Sequence, residues 1–432
     1  MAERDPRLTP GKYHMERMTP LPLAQAGWPT GLAQARAASV RVCRLKPTAG
    51  GRRPSCREFI ARRLRGLWSD VSASTEGVLT PDESQSLYQG RIFDVQAHAI
   101  QPSTLRSTSD LISTAAWLED GTKRIIADDV LATAADDLHG PRRLRTLRDD
   151  GIQVVTVNLG FPRADPERLL QIVDETNRWM ARQSAENPQL LGTAIMPPAP
   201  LLATPDEPRH GGLIDAALEA TSTAITQLGL HGIMASAHYD GVFLGDPVYE
   251  PFFGLAESLQ VPVIIHPAIT ASDVQLVPRK NIPTDAGFLN DQRTTLLDLV
   301  KAGVLERHPE LALIATHLGG GILTSLGRFE QLDLRFPDEN WYLDSAGTRR
   351  RLNRLGSYFR RIHYDCNNSS RADILHAVEC VGSDRLLTGT DFPWATDHHT
   401  RQVLGGLEHD LARKIAYDNA RRLFAFAQDD ND

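Results

Sequence analysis

Cysteine is scarce. The 432 residues hold four, Cys43, Cys56, Cys366 and Cys380, widely spaced and never as a CxxC pair. That spacing argues against a cysteine zinc site. A chain this long needs no disulfide framework, so a reducing, cytoplasmic setting is expected. No run of 18 apolar residues occurs, so no spanning helix is expected and no membrane partner is implied. The arginine pairs Arg52-Arg53 and Arg62-Arg63 are not followed by an apolar core, so export is not expected. There is no GxGxxG after a strand pattern and no GxxxxGK(S/T), which leaves dinucleotide and P-loop chemistry without support.

Positive charge is in deficit in the body. Residues 1–70 carry 14 Lys/Arg against 5 Asp/Glu, so a net charge of −7 leaves −16 for the remainder. An acidic body argues against nucleic acid as a partner. Residues 1–55 mix Pro, Gly, Ala and Arg without a sustained period and read as a mostly disordered basic extension. Residues 56–89 read as a helical lead-in, with Phe59, Ile60, Leu64, Leu67 and Trp68 on one face of a basic helix. Residues 426–432 are a tail.

What is present, over residues 90–425, is alternation. Apolar strand patterns fall at 92–98, 151–159, 191–196, 231–236, 261–265, 311–315, 361–366 and 385–390. Helical patterns stand between most of them, at 124–137, 142–149, 166–187, 210–228, 246–258, 291–304, 323–336, 347–359 and 370–381, with 402–407 and 409–423 closing the chain. Eight strands alternating with helices predict a (β/α)8 TIM-like barrel.

Chemistry sits at the ends of these strands. In Ile92-Phe93-Asp94-Val95-Gln96-Ala97-His98, the period of two places Asp94, Gln96 and His98 on one face. The fifth strand runs into His266-Pro267, the sixth into His317-Leu318-Gly319-Gly320-Gly321, and the eighth into Asp391-Phe392-Pro393-Trp394. A single histidine at a strand end is ordinarily a hydrogen-bonded structural residue, and an Asp before Phe-Pro is often a turn residue. Four such groups at four strand ends of one barrel point instead to a metal site. Imidazole and carboxylate donors suit one divalent ion, zinc first, with manganese or iron as alternatives.

These residues carry a resemblance. The Asp94-x-x-x-His98 strand, His266-Pro267, the stretch Gly303-Val304-Leu305-Glu306-Arg307-His308-Pro309, His317 with its glycines, and Gly389-Thr390-Asp391-Phe392-Pro393 are similar, as a set, to the amidohydrolase-related family. This branch of the metal-dependent amidohydrolase superfamily includes aminocarboxymuconate-semialdehyde decarboxylase and resorcylate-type decarboxylases. The resemblance implies metal ligands at His98, His266 and Asp391, and a proton-handling role for His317 and for Asp391. It implies a single metal, because Met234, Ala235 and Ser236 occupy the region of the bridging residue of two-metal relatives. Gln96 departs from the pattern, standing where the family has His or Glu, and is a doubtful ligand. His238, Asp365, Trp394 and the pair His398-His399 are substrate or second-metal candidates.

The expected activity is hydrolysis of a small organic acid, ester, lactone or amide by metal-activated water. The alternatives are non-oxidative decarboxylation of an aromatic or unsaturated acid, iron-dependent oxygenase chemistry, and a barrel that has lost its metal and only binds a ligand. The partner is a small-molecule substrate. The family often forms dimers, which implies a homodimer.

Overall fold

The computed structural model describes residues 87–99, 151–156, 165–203, 213–239, 241–268, 286–392 and 397–424. The basic extension, most of the lead-in, the helical patterns at 124–137 and 142–149, Trp394 and the tail lie outside these residues.

The barrel strands are short. They are β1 (Phe93–His98), β2 (Ile152–Thr156), β3 (Leu190–Gly192), β4 (Ala194–Ile195) and β5 (Ile233–Ser236). A small hairpin, β6 (His238–Tyr239) with β7 (Val242–Phe243), precedes β8 (Val263–His266) and β9 (Leu313–Ala315). A second hairpin, β10 (Trp341–Leu343) with β11 (Arg349–Arg351), precedes β12 (His363–Asp365) and β13 (Leu386–Leu387). All barrel pairings are parallel, in the orders β1-β2-β3 and β13-β12-β9-β8-β5-β4. Only Thr193 separates β3 from β4, so the two count as one strand position. Parallel bridges Asp94↔Thr388 and Ala97↔Phe392 join the first position to the last. The chain is therefore a (β/α)8 barrel, with its core buried on both faces of strands rich in Val, Ile and Leu.

Two of the longer helices start at residues whose side chains cap them. Asp165 accepts from Arg168 N ahead of Pro166–Ala185, and Ser370 with Asp373 forms a capping box on Arg371–Val381. One expected helix is much shorter than expected. Residues 347–359 were expected to be helical, yet only Leu355–Phe359 are. The preceding residues form the β10–β11 hairpin, because Asp344 turns the chain: its Oδ1 accepts from Ala346 N and Thr348 N, and Gly347 sits at φ +75°. Asp, Ser and Gly in a turn outweighed an apparent helical period. The strict alternation in β1 also fails. The register slips by one residue between Asp94 and Ala97, a bulge that separates the role of Asp94 from that of Gln96 and His98.

Candidate metal centre

Three side chains converge at the carboxyl ends of the strands. One ligand atom each from His98, His266 and Asp391 lies within 4.8 Å of the others, and among the described residues no second such group of His, Cys, Asp or Glu occurs. His98 Nε2 is 2.9 Å from Asp391 Oδ1. The His98 and His266 rings meet edge to face at 4.7 Å. His317 stands beside the group, its ring 5.5 Å from that of His266.

The far edge of each imidazole is held. His266 Nδ1 donates to Pro267 O at 2.9 Å, which leaves Nε2 as the lone-pair nitrogen. Thr156 Oγ1 reaches Ala97 O at 3.2 Å as donor and meets His98 Nδ1 at 3.0 Å, so His98 Nδ1 is the donor to Thr156. Nε2 of His98 faces the Asp391 carboxylate at 2.9 Å, a place that either a proton or a cation can occupy. Burial, together with the nearby charges of His98 and His317, pushes His266 well below the usual imidazole range, so its ring is neutral, as a metal ligand must be. Burial alone would raise the Asp391 carboxyl. The hydrogen bond and charge of His98, with His317 and His266, outweigh it and hold Asp391 below its ordinary value. Gln96 adds a buried Oε1 with no hydrogen-bond partner. Oriented imidazoles, an ionised carboxylate and an orphaned amide oxygen fit one divalent cation.

Gln96 reaches the site with its other end. Its Nε2 lies 3.2 Å from Asp391 Oδ1 and 3.3 Å from His317 Nε2. His317 Nδ1 is 2.8 Å from Asn367 Oδ1, and His317 N donates to Asp365 Oδ1 at 2.9 Å. His317 opens a turn of left-handed backbone, with φ from +48° to +76° over residues 317–321. Glycine is required at position 320. A Cβ on Gly320 would lie 2.1 Å from the Leu289 carbonyl oxygen.

The remaining candidates go elsewhere. His238 pairs with Asp291 at 3.4 Å and packs on Phe243, outside the convergent group. Asp365 lies behind His317; burial raises its carboxyl to about 6 against the charge of His317 and two backbone donors. His398 is exposed on the helix Asp397–Gly405, and His399 meets Ser369 O at 3.2 Å. Asp94, read as an inward partner of Gln96 and His98, instead accepts from Gln153 Nε2, Thr390 Oγ1, Thr390 N and Gln96 N, tying β1 to β2 and to the segment leading to Asp391. Sequence reasoning passed over Thr156 and Asn367. The available signal was position: each sits at or just past the end of a barrel strand.

A parallel barrel with two histidines and an aspartate gathered at one mouth defines a barrel enzyme with a site fit for a metal ion. The chain belongs to the amidohydrolase family, whose profile matches residues 94–426. It is an enzyme of the hydrolase and decarboxylase kind found there. Gamma-resorcylate decarboxylase of Rhizobium sp. (strain MTP-10005) is 25% identical over 372 residues, spanning 78% of this chain and 98% of that protein. The 2-amino-3-carboxymuconate-6-semialdehyde decarboxylase of Dictyostelium discoideum is 23% identical over 258 residues, 58% of this chain and 66% of that one. A solved structure of dihydroxybenzoic acid decarboxylase from Polaromonas sp. JS666, with bound manganese and the inhibitor 2-nitroresorcinol, superposes with a TM-score of 0.63. It is 18% identical and covers 78% of this chain and 98% of that one.

Proposed function

We propose that the protein is a metal-dependent, non-oxidative decarboxylase of a hydroxylated aromatic carboxylic acid. The observation that carries this reading is the alignment with gamma-resorcylate decarboxylase over 98% of that enzyme's length. It ranks decarboxylation above the hydrolysis that the residues alone put first. The oxygenase alternative drew on surplus ligands for a second ion. Among the described residues, His238 and Asp365 have other partners, and no observation favours it.

His98, His266 and Asp391 are the ligands in this proposal, for one divalent ion such as manganese or zinc. When bound, the ion supplies a Lewis acid that anchors the substrate's oxygens and draws charge toward itself. The chain's own residues do the rest. The His98 and His266 rings are held by Thr156 and Pro267. His317 moves the proton. The bond from the ring carbon to the carboxylate breaks, its electron pair stays on the ring carbon, carbon dioxide leaves, and the ring carbon takes a proton.

The test is turnover of a panel of hydroxybenzoic acids in deuterated water without oxygen. The expected result is carbon dioxide and a product with one deuterium on the carbon that lost the carboxylate. A product heavier by the elements of water, from an ester, lactone or amide, would move the protein to the hydrolases.

A further inference from the structure

Gln96 and Asp391 fix each other's hydrogen-bond polarity. A carboxylate only accepts, so the amide edge 3.2 Å from Asp391 Oδ1 is the NH2 edge. The same nitrogen lies 3.3 Å from His317 Nε2. One hydrogen goes to the carboxylate and the other to the ring, so His317 Nε2 is an acceptor. The opposite edge of the ring agrees. Asn367 Oδ1, 2.8 Å from His317 Nδ1, accepts Nδ1–H. Asp365 braces both parts of this arrangement, since one buried oxygen, Oδ1, accepts from His317 N at 2.9 Å and Asn367 N at 3.0 Å.

We propose that Gln96 is a positioning residue that sets the tautomer of His317, with Nδ1–H on Asn367 and Nε2 left as an acceptor beside the metal centre. The use of that nitrogen rests on the decarboxylase reading; the tautomer does not. With a bare Nε2, His317 must take a proton before it can give one. The substrate's hydroxyl O–H bond breaks as Nε2–H forms. That proton then passes to the ring carbon as the carboxylate bond breaks and carbon dioxide leaves, and the phenolate product regains a proton from water. A glutamate at position 96 reverses the polarity. Its carboxylate has no hydrogen to offer and draws a proton onto His317 Nε2.

The experiment is nitrogen NMR of protein labelled with 15N-histidine, in metal-free and zinc-loaded forms, with the His317 signals assigned by their loss in His317→Gln. The expected wild-type spectrum has Nδ1 protonated and Nε2 bare. Gln96→Glu, close in size, is expected to move the proton signature to Nε2. Asn367→Asp, which keeps an acceptor at Nδ1, should retain the wild-type pattern and controls for general disturbance of the fold. A wild-type His317 protonated at Nε2 overturns the proposal. So does a Gln96→Glu spectrum that leaves the tautomer unchanged. Failure to release carbon dioxide with an Nδ1–H tautomer would defeat the decarboxylase reading and leave the tautomer standing.

Discussion

His317 and Asp391 share a backbone conformation that side chains rarely adopt: φ is +52° at one and +60° at the other. Both sit just past the end of a barrel strand, and one amide, that of Gln96, touches both. Left-handed backbone at a non-glycine residue costs roughly 1–3 kcal/mol and survives only where the surroundings impose it. Here the imposing bonds are visible. Asp365 accepts from His317 N, and Gln96 O accepts from Asp391 N at 2.9 Å. The strain aims two side chains at one point.

That backbone makes Asp391→Asn an informative substitution. Asparagine tolerates left-handed backbone as aspartate does, so the fold should persist. The charge that completes the His98, His266 and Asp391 group is lost. Elemental analysis should show metal content falling to a small fraction of wild type, and activity should drop by about a hundredfold or more. Unchanged metal content would remove Asp391 from the ligand set.

The glycine turn after His317 has its own test. Gly320→Ala places a Cβ 2.1 Å from the Leu289 carbonyl oxygen at φ +64°. Left-handed strain and overpacking together should cost roughly 2–4 kcal/mol in denaturant unfolding. Gly347→Ala is the control, with φ +75° and nothing within 4 Å of the added carbon. It should cost about 1 kcal/mol. Equal costs at the two positions would show that the contact with Leu289 is unimportant.

Much of this was legible in the residues. Buried strands announce themselves as runs such as Val263-Ile264-Ile265, and the polar residues that end them, His266, His317 and Asp391, stand out against those runs. The convergence of His98, His266 and Asp391 follows from topology, because parallel strands of one barrel bring their ends together. What escaped depends on bonds between distant positions. The β1 bulge detaches Asp94 from the alternation so that it can bond Gln153 and Thr390, 59 and 296 residues away. No local period encodes that. The β10–β11 hairpin escaped for the opposite reason. Its signal is one turn at Asp344, drowned by an apparent helical spacing on either side.

The stretch 303–309 supplies a pH prediction away from the candidate metal centre. His308 lies between Glu250 and Glu257, at 3.0 and 3.1 Å, and Arg307 binds Glu250 as well. Burial alone would lower His308, but its bonds to the two glutamates win and raise it above 6.5. Burial alone would raise Glu250, but His308 and Arg307 bring it down from 4.5 to about 2. The signs differ. The contribution of His308 is complete below 6.5 and is lost as pH rises through its raised folded value. That of Glu250 is complete above 4.5 and is lost as pH falls toward about 2. The stability difference between wild type and Glu250→Gln should therefore be largest between these values and shrink on both sides. A difference independent of pH would mean that the cluster acts through packing alone.

Thr390 ties the first strand to Asp391, and its removal should be felt most at high pH. Burial raises the Asp94 carboxyl from 3.8 to about 6, even though Thr390, Gln153 and Gln96 all donate to it. The folded state thus binds the Asp94 proton more tightly than the unfolded chain. Its contribution is most favourable below 3.8, weakens as pH rises through about 6, and is level above that. Thr390→Val deletes the 2.5 Å hydroxyl bond to Asp94 Oδ2 and the bond that Phe392 N donates to the same hydroxyl at 3.2 Å, a loss that does not depend on pH, and leaves Thr390 N, at 3.0 Å from Oδ1, in place. The carboxylate form suffers more than the protonated form, because a hydrogen bond to a charged group is the stronger one. The cost should be about 1–3 kcal/mol at pH 8 and smaller at pH 4. Denaturant unfolding of the chelated protein reads this without interference from metal release. A cost that is equal at both pH values would mean that the Asp94 bond is worth the same to the charged and the neutral carboxyl, and that the loss comes from the bond Phe392 N donates to the Thr390 hydroxyl.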